Sequence, residues 1–417
     1  NGISNGPLGL FLTDSGIAQQ RPTLFFYRNI IMSNSALNIT SPWMSEDVVM
    51  LQDSVRRVLE KEFYPHREQW EDDGIVNREA WLKAGEFGLL CPSIPEEFGG
   101  GGGSKAHDAV LAQEVERAGL GGGFGVGIGT HCMVAHYILD YASDERRKEW
   151  LPKMTSGELI GAVAMTEPGT GSDLQAIRTK ADKVPGGYRV NGQKIFISNG
   201  QNADLIVTVC RTGDAGSKGI SLLVVEADAE GFRRGRNLKK IGLPAQDTSE
   251  LFFDDVFVPD ENLLGEQEGG GFYQLMNQLM WERMLTTLGA VVSMELAVQY
   301  TVEYVKSRTV FGKAVMDYQN TQFKLAECKT QAHIARVFVD QLMQKLLDGT
   351  LDNTSSAMGK WWATDTQFKV LDECLQLHGG YGYMTEYPIA RLWRDARVLR
   401  IWAGTNEIMK VIVARDL

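Results

Sequence analysis

The chain has 417 residues, enough for about two or three domains with well-buried cores. Hydrophobic residues make up 43% of the sequence and charged residues 23%, as in an ordinary soluble globular protein. The net charge of -11 argues against a nucleic-acid partner, because such proteins normally present a basic surface. An anionic small molecule is not excluded, since it needs only a local cluster of donors.

Cysteine and histidine spacing gives no sign of a disulfide framework or a metal site. The six histidines are dispersed, and the five cysteines lack CxxC or CxH spacing; they are Cys91, Cys132, Cys210, Cys328 and Cys374. We therefore expect reduced core thiols, no metal and a cytoplasmic location, with the mitochondrial matrix as the alternative. No uninterrupted apolar run approaches the roughly 20 residues of a membrane span, so no integral membrane segment is expected.

Residues 1–44 are predicted to be an N-terminal extension, rich in Ser, Asn, Gly and Gln and without clear periodicity. One interpretation takes Met32 as the natural start and residues 1–31 as an upstream extension. The other is a transit peptide, although only Arg21 and Arg28 supply basic charge. The sequence leaves both interpretations open.

Residues 45–158 are predicted to form an α-helical domain, since apolar residues recur there at spacings of three and four. Helical patterns cover Trp81–Leu89, Ala109–Arg117 and Glu145–Met154. The intervening glycine-rich loops, residues 99–103 and 121–129, do not supply GxGxxG after a strand. A dinucleotide-binding Rossmann fold is therefore not supported.

Residues 159–265 are predicted to form a β-domain. Asn191-Gly192, between apolar runs on either side, predicts a hairpin with a two-residue turn. Further strands are predicted at Leu205–Val209, Ile220–Val225 and Leu251–Val258. Residues 266–417 return to helical patterns, and this order of helices, strands and helices predicts segregated α+β domains.

The loop Met165–Asp173 is the most informative segment. It follows an apolar run and holds Pro, two Gly, Thr, Ser and Asp, which expose donors to a planar, polar-rimmed ring or an anion. Taken alone, it is more typical of a strand-end turn. Four further segments stand in order along the chain: Pro95–Gly100, Ser307–Gly312, Gln376–Tyr383 and Ala403–Ile408.

Together, these five motifs resemble the acyl-CoA dehydrogenase family of flavoproteins, from about Met44 to the C-terminus. The resemblance implies an α-helical N-terminal domain, a middle β-domain of sandwich or barrel-like form, and a C-terminal four-helix bundle. It also implies FAD as cofactor, an acyl-CoA substrate, an electron-transferring flavoprotein as electron acceptor, and assembly as a homotetramer or dimer.

The resemblance also implies where the catalytic base lies. Most family branches carry a glutamate in the loop before Gly-Thr, where this chain has Ala403. A minority, including the isovaleryl-CoA and long-chain branches, carry it on the first long helix of the C-terminal domain, which points to Glu282. The residue interrupts an apolar stripe of helical period. Most helical glutamates are solvated, whereas a carboxylate on a buried stripe must be paired, protonated or functional.

Further site residues follow from the motifs that match the family. The FAD contacts implied are Met165, Thr166, Phe196, Ser198, Arg308, Phe311, Gln319, Gln376, Gly379, Gly380, Thr405 and Glu407. Those from Arg308 to Gly380 belong to the group that a neighbouring subunit donates. The substrate-side positions are Ser172, Tyr273, Arg283 and Ala403. For the polar residues the competing interpretation is a surface contact or helix cap, and for the phenylalanines it is core packing.

The run Lys240–Leu251 and the helix-borne glutamate are closest to the long-chain branch. We therefore expect FAD-dependent α,β-dehydrogenation of a long-chain or branched acyl-CoA to the trans-2-enoyl-CoA. Three alternatives stay open: an acyl-CoA oxidase, which typically carries an extra helical domain; a flavin- or acyl-binding module without dehydrogenation; and an enzyme acting on a carrier-protein-bound acyl group. Glu282 is the feature that argues against the binding module.

Overall fold

The computed structural model describes residues 41–417. The candidate start at Met32 and most of the predicted extension 1–44 therefore lie outside the described residues. In the described chain up to residue 158 the helices are α1 (Glu46–Val58), α2 (Arg67–Asp73), α3 (Arg78–Glu86), α4 (Lys105–Arg117), α5 (Val126–Tyr141) and α6 (Asp144–Thr155). The three helical patterns found in the sequence are confirmed, with α3 and α4 beginning three and four residues earlier than predicted.

A β-region follows these helices. Its strands are β1 (Gly161–Ala164), β2 (Lys180–Val184), β3 (Gly187–Ser198), β4 (Leu205–Arg211), β5 (Ile220–Glu226), β6 (Phe232–Asn237), β7 (Thr248–Pro259) and β8 (Leu263–Leu264). The strand order is β6-β7-β3-β2-β4-β5-β8, and β1 pairs in parallel with β4. Only the pair Lys180 and Arg211 joins β2 to β4, so two half-sheets meet at a narrow junction.

The two half-sheets share an apolar core. Along β4, Ile206 and Cys210 face the strands of the other half, whereas Leu205, Val207 and Val209 join the core of the N-terminal helices. This alternation is the period of two that a strand imposes. Because both faces of β4 are covered by protein, its residues from Leu205 to Cys210 are all buried, and Thr208 is the one polar residue among them.

The predicted hairpin turn at Asn191-Gly192 is wrong. Both residues lie inside the continuous strand β3, where the register against β7 shifts between Val190 and Gly192. The turn instead lies at residues 185–186 between β2 and β3, where Gly186 has a φ of 81°. An Asn-Gly pair suits a bulge as well as a turn, because both need an unusual backbone conformation. Asn191 uses its side chain to accept a hydrogen bond from Asp255 N at 2.8 Å.

The C-terminal region is helical, as predicted. Its helices are α7 (Gly271–Ser307), α8 (Gln319–Leu347), α9 (Asn353–His378), α10 (Pro388–Ala396) and α11 (Asn406–Ala414). The short strands β9 (Thr309–Val310) and β10 (Lys313–Ala314) form a hairpin between α7 and α8. Helix α7 packs against both α8 and α9, and α11 packs on α9.

Helix α7 is the central element of this bundle. By length and composition it resembles a membrane-spanning helix, yet 67% of its most apolar window is buried inside the protein. Its apolar surface is covered by α4, α5, α8 and α9, as expected for the core helix of a bundle. A polar residue on α7 is therefore held in a largely apolar environment.

Two glycines test how closely the helices pack. A Cβ at Gly85 of α3 would lie 2.1 Å from the carbonyl oxygen of Ser156, just after α6, so Gly85→Ala is expected to lower the free energy of unfolding by about 1–3 kcal/mol. Gly289→Ala on α7 is the control, because its Cβ would meet nothing within 4 Å. It is expected to be neutral or to stabilise by up to about 1 kcal/mol. Equal effects of the two substitutions in chemical denaturation would contradict this packing.

Candidate active site

Glu282 lies on α7 in the stripe that also carries the buried residues Leu275 and Leu279. Its side chain keeps partial exposure, so protein atoms surround the carboxyl without sealing it off. Burial raises the pKa of Glu282 to about 7, against the opposing effects of a hydrogen bond from Tyr137 and the charge of Arg283. A carboxylate with this pKa is well matched to accepting a proton near neutral pH.

Tyr137 on α5 is the hydrogen-bond partner of this carboxyl. It is fully buried, and its Oη donates to Glu282 Oε1 at 3.2 Å. Burial and the negative charge of Glu282 raise the pKa of Tyr137 well above its ordinary value, so the hydroxyl keeps its proton. The bond fixes one carboxyl oxygen, while Oε2 has no hydrogen-bond partner within residues 41–417.

Arg283 follows Glu282 in sequence but contacts a different element. Its buried guanidinium donates from Nη1 to Asn353 Oδ1 at 2.5 Å, at the start of α9. Its Nε is buried without a hydrogen-bond partner in the described part of the chain. The predicted substrate-side residue is thus also a link between α7 and α9.

The loop Met165–Asp173 is fastened to β3 by a buried lysine. Lys194 Nζ donates to Met165 O at 3.0 Å, Glu167 Oε1 at 2.9 Å and Val209 O at 2.7 Å. Ile195 N also donates to the carbonyl oxygen of Thr166 at 2.9 Å. These bonds fix the backbone at Met165 and Thr166, while Ser172 lies exposed at the far end of the loop.

Phe196 stands out at the end of β3. The register against β7 shifts between Lys194 and Ile197, and this bulge gives Phe196 a φ of 62°. Its ring is 63% exposed, and the nearby Ser198 is partly exposed. A left-handed backbone is unfavourable for a bulky residue, and exposing a large apolar ring to water is unfavourable as well. Together they suggest a partner that covers the Phe196 ring.

The segment Ala403–Ile408 follows a 3₁₀ turn and runs into the first turn of α11. Ala403 and Gly404 both adopt left-handed backbone conformations, with φ values of 50° and 86°. The Thr405 side chain caps α11 by accepting a hydrogen bond from Ile408 N at 3.3 Å, and Glu407 is exposed in the first turn. The carbonyl oxygen of Gly404 accepts a hydrogen bond from the buried Lys360 at 2.8 Å.

A second group of predicted residues lies near the other end of α7. Arg308 sits over the ring of Tyr381 at 5.8 Å, and Phe311, at the tip of the β9–β10 hairpin, is 98% exposed with a φ of 48°. Gln319, Gln376, Gly379 and Gly380 are all exposed. Because Glu282 and Arg308 are 26 residues apart along one helix, their backbones are separated by about 39 Å. One chain therefore does not bring the two groups together.

Tyr273 lies in the first turn of α7 and is 71% exposed. The helix places it about 13 Å from Glu282 along the axis, so it belongs to the Glu282 end of the molecule. Tyr273 and Glu282 thus lie towards one end of α7, and Arg308 follows its other end.

Three residues of this region were missed by sequence reasoning: Tyr137, Lys194 and Lys360. Tyr137 lies within an apolar helix and gives no polar pattern that marks it as a partner of Glu282. Each lysine is buried although lysine is normally exposed. A single sequence carries no signal that separates a buried lysine from a surface one.

Comparison with known proteins covers nearly the whole described chain. Family models described as the N-terminal, middle and C-terminal domains of acyl-CoA dehydrogenase match residues 45–158, 162–256 and 269–417. The mitochondrial long-chain specific acyl-CoA dehydrogenase of Sus scrofa is 46% identical over 372 residues, covering 88% of this chain and 86% of that protein.

Solved structures agree with these matches. The crystal structure of acyl-CoA dehydrogenase from Geobacillus kaustophilus is 48% identical, with a TM-score of 0.87 over 90% of this chain and 99% of that one. A glutaryl-CoA dehydrogenase from Mycobacterium smegmatis in complex with FADH2 is 26% identical, with a TM-score of 0.83 over 89% and 95% of the two chains. The predicted α+β arrangement of helical, β and helical regions is confirmed.

The raised pKa of Glu282 predicts a specific pH dependence of stability. Between its unfolded value of 4.5 and its folded value of about 7, the folded protein holds a proton that the unfolded chain releases. The free energy of unfolding therefore falls as pH rises through this window. Glu282→Gln removes the effect, so its stability relative to the parent should rise by about 2 kcal/mol between pH 5 and pH 8.

The control is Glu62→Gln. Hydrogen bonds from Lys83 and Lys61 lower the pKa of Glu62 to about 2, so its contribution is lost only as pH falls below 4.5. Its stability relative to the parent should stay flat between about pH 5 and pH 8. Urea denaturation over this range checks both variants, and a flat difference for Glu282→Gln would show that its carboxyl titrates normally.

Proposed function

This chain belongs to the acyl-CoA dehydrogenase family, and we propose that it oxidises the Cα–Cβ bond of an acyl-CoA thioester to the trans-2-enoyl-CoA. The observation that carries this proposal is the carboxyl of Glu282, whose pKa is raised to about 7 and whose Oε1 is held by Tyr137. A thioester α-proton is weakly acidic, so its removal needs a positioned base and a donor on the thioester carbonyl.

Glu282 is the proposed base. Its Oε1 accepts from Tyr137, and its Oε2 is available to take the α-proton. The donor on the thioester oxygen is the peptide N–H of Ala403, whose left-handed backbone belongs to a restrained turn. Because Ala403 has only a methyl side chain, this loop supplies no second carboxylate near Cα.

FAD is the cofactor of the family. The residues of this chain fit a planar cofactor, because Phe196 presents an exposed ring next to the fixed backbone at Met165 and Thr166. These residues, with Ser198, would hold the ring, while Thr405 and Glu407 would meet its polar portion. When bound, FAD supplies the acceptor for the hydride that leaves Cβ.

Assembly of the cofactor site across subunits explains the second group of residues. Arg308, Phe311, Gln319, Gln376, Gly379 and Gly380 are the proposed cross-subunit contacts. Arg308 lies about 39 Å along α7 from Glu282 and contacts Tyr381, which follows Gly380, and this separation supports a role in the site of a neighbouring copy. Tetramers are typical of the family, and we propose a homotetramer or dimer for this chain.

The proposed substrate is a long-chain or branched acyl-CoA. The similarity to a protein named as long-chain specific supports this class, as does the helix-borne base. Ser172, Tyr273 and Arg283 are the proposed substrate-side residues beside Ala403. We propose an electron-transferring flavoprotein as electron acceptor, and either the cytoplasm or the mitochondrial matrix as the compartment.

An acyl-CoA panel distinguishes this proposal from its alternatives. Anaerobic addition of acyl-CoAs from butyryl to stearoyl should bleach the flavin absorbance and reveal the preferred length. If no acyl-CoA in the panel bleaches the flavin, the result would favour a binding module or a carrier-bound substrate. Reoxidation of the reduced protein by oxygen as fast as turnover would instead indicate an oxidase.

Glu282→Gln should retain FAD and acyl-CoA binding but lose most turnover, because the amide preserves shape and removes basicity. A loss of about three orders of magnitude or more is expected from the missing base and the altered hydrogen bond. Glu303→Gln, on the same helix, is the control and should retain parental turnover. Activity of Glu282→Gln within about tenfold of the parent would rule out Glu282 as the base.

Arg308→Ala should weaken FAD retention and oligomer stability together, because a cofactor bound across an interface links the two equilibria. Arg308→Lys should only partly restore retention, since lysine lacks the planar fork that binds a pyrophosphate. Lys306→Ala removes an exposed cation two residues away and serves as the control. Gel filtration with flavin-to-protein absorbance ratios checks all three variants, and a fully flavin-loaded parental monomer would contradict the cross-subunit site.

A further inference from the structure

Lys360 on α9 is a buried lysine in the middle of the C-terminal helical region, and burial lowers its pKa to about 7. It has 0% exposure, and its Nζ donates to the carbonyl oxygen of Gly404 at 2.8 Å and to Asn406 Oδ1 at 2.9 Å. Burying an ammonium group is costly unless its hydrogen bonds are replaced. Burying this lysine between α9 and the segment before α11 therefore has a desolvation cost that its hydrogen bonds must offset.

The atom that Lys360 holds belongs to a strained turn. Ala403 and Gly404 have φ values of 50° and 86°, and a left-handed alanine costs about 1–2 kcal/mol relative to a right-handed one. Such a conformation persists only where the surroundings enforce it. The bond from Lys360 to Gly404 O acts directly on this turn.

A second set of bonds secures the other side of the turn. Asn406 Nδ2 donates to Asp365 Oδ1 at 2.9 Å and to Thr364 Oγ1 at 2.9 Å. Thr364 also donates to Lys360 O at 2.9 Å within α9. This network fixes Asn406. In the described chain, Lys360 Nζ is the only hydrogen-bond donor to the carbonyl oxygen of Gly404.

The charges around Lys360 connect the turn to the helix that carries the base. Arg283 and Arg400 act on Lys360 as like charges, and Asp365 and Glu407 act as opposite charges. Arg283 follows Glu282 on α7, and Glu407 lies in the first turn of α11. Lys360 thus lies where the base helix, α9 and the turn meet.

We propose that Lys360 is a positioning residue, which holds the Ala403–Gly404 turn so that the Ala403 peptide N–H faces the carbonyl oxygen of a bound thioester. This rests on the proposed function, in which that N–H polarises the thioester. In this role Lys360 touches no substrate atom, and it acts on the turn through its hydrogen bond to Gly404 O. A donor displaced by a fraction of an ångström loses much of its effect on a developing oxyanion.

The test compares two ligands that differ only at the carbonyl. In a Glu282→Gln background, where the thioester is bound without being consumed, affinities are measured for palmitoyl-CoA and for S-hexadecyl-CoA, a thioether without a carbonyl. The Glu282→Gln protein should prefer the thioester. Adding Lys360→Met should reduce that preference about tenfold or more, while thioether affinity stays within about twofold.

Matched variants separate positioning from general packing. Thr364→Val loosens the Asn406 network without touching Gly404 O, so it should lower stability but keep the ligand preference. Lys360→Gln, which keeps an N–H donor on a shorter chain, should retain part of the preference and provides a second variant if Lys360→Met does not fold. With Glu282 intact, Lys360→Met should lower kcat more than it raises KM for palmitoyl-CoA.

The outcomes distinguish the positioning role of Lys360 from the proposed function on which it rests. An unchanged preference in both Lys360 variants would overturn the positioning role and leave the proposed function standing. If the Glu282→Gln protein itself shows no preference for the thioester, the proposed carbonyl donor is wrong, and the role of Lys360 falls with it. If Thr364→Val and Lys360→Met reduce the preference for the thioester equally, Lys360 only packs α9 against α11.

Discussion

Burial of ionisable side chains is the constraint on which the site depends. Glu282, Lys194 and Lys360 are each removed from water to a large extent, and each needs replacement hydrogen bonds. Glu282 receives one from α5, Lys194 donates to the loop after β1, and Lys360 donates to the turn before α11. The bond from Tyr137 to Glu282 joins the N-terminal helices to the C-terminal bundle, whereas the bonds of Lys194 and Lys360 each fix a loop within its own region.

The length of α7 imposes a second constraint. A continuous helix of 37 residues carries Glu282 near its start and leads to Arg308 at its end. A rise of about 1.5 Å per residue prevents the two from serving one compact site. The bundle therefore has candidate site residues at both ends, and the proposed association of copies would combine them. The exposed Phe311 ring is consistent with a surface that another chain covers.

Much of the fold could be predicted from the sequence, because hydrophobic periodicity and the order of motifs can be read directly along the chain. The order of helical, β and helical regions and the burial of Leu275 and Leu279, in the stripe that carries Glu282, followed from such patterns. The Asn191-Gly192 hairpin was wrong because the same dipeptide suits a bulge within a strand, and pairing with β7 decides between them. Lys194 and Lys360 were missed because their burial depends on contacts distant in sequence.

Part of the backbone strain in this protein falls on candidate site residues. Of the seven described non-glycine residues with positive φ, three are proposed site residues: Phe196, Phe311 and Ala403. At Ala403 the small side chain has a clear consequence, since the proposed base, Glu282, lies on a rigid helix and the turn can offer only its backbone. A change of side-chain rotamer cannot redirect a backbone N–H, so the direction of this donor depends on what restrains the turn. The hydrogen bond from Lys360 to Gly404 is such a restraint, because it holds the carbonyl that follows the strained residue.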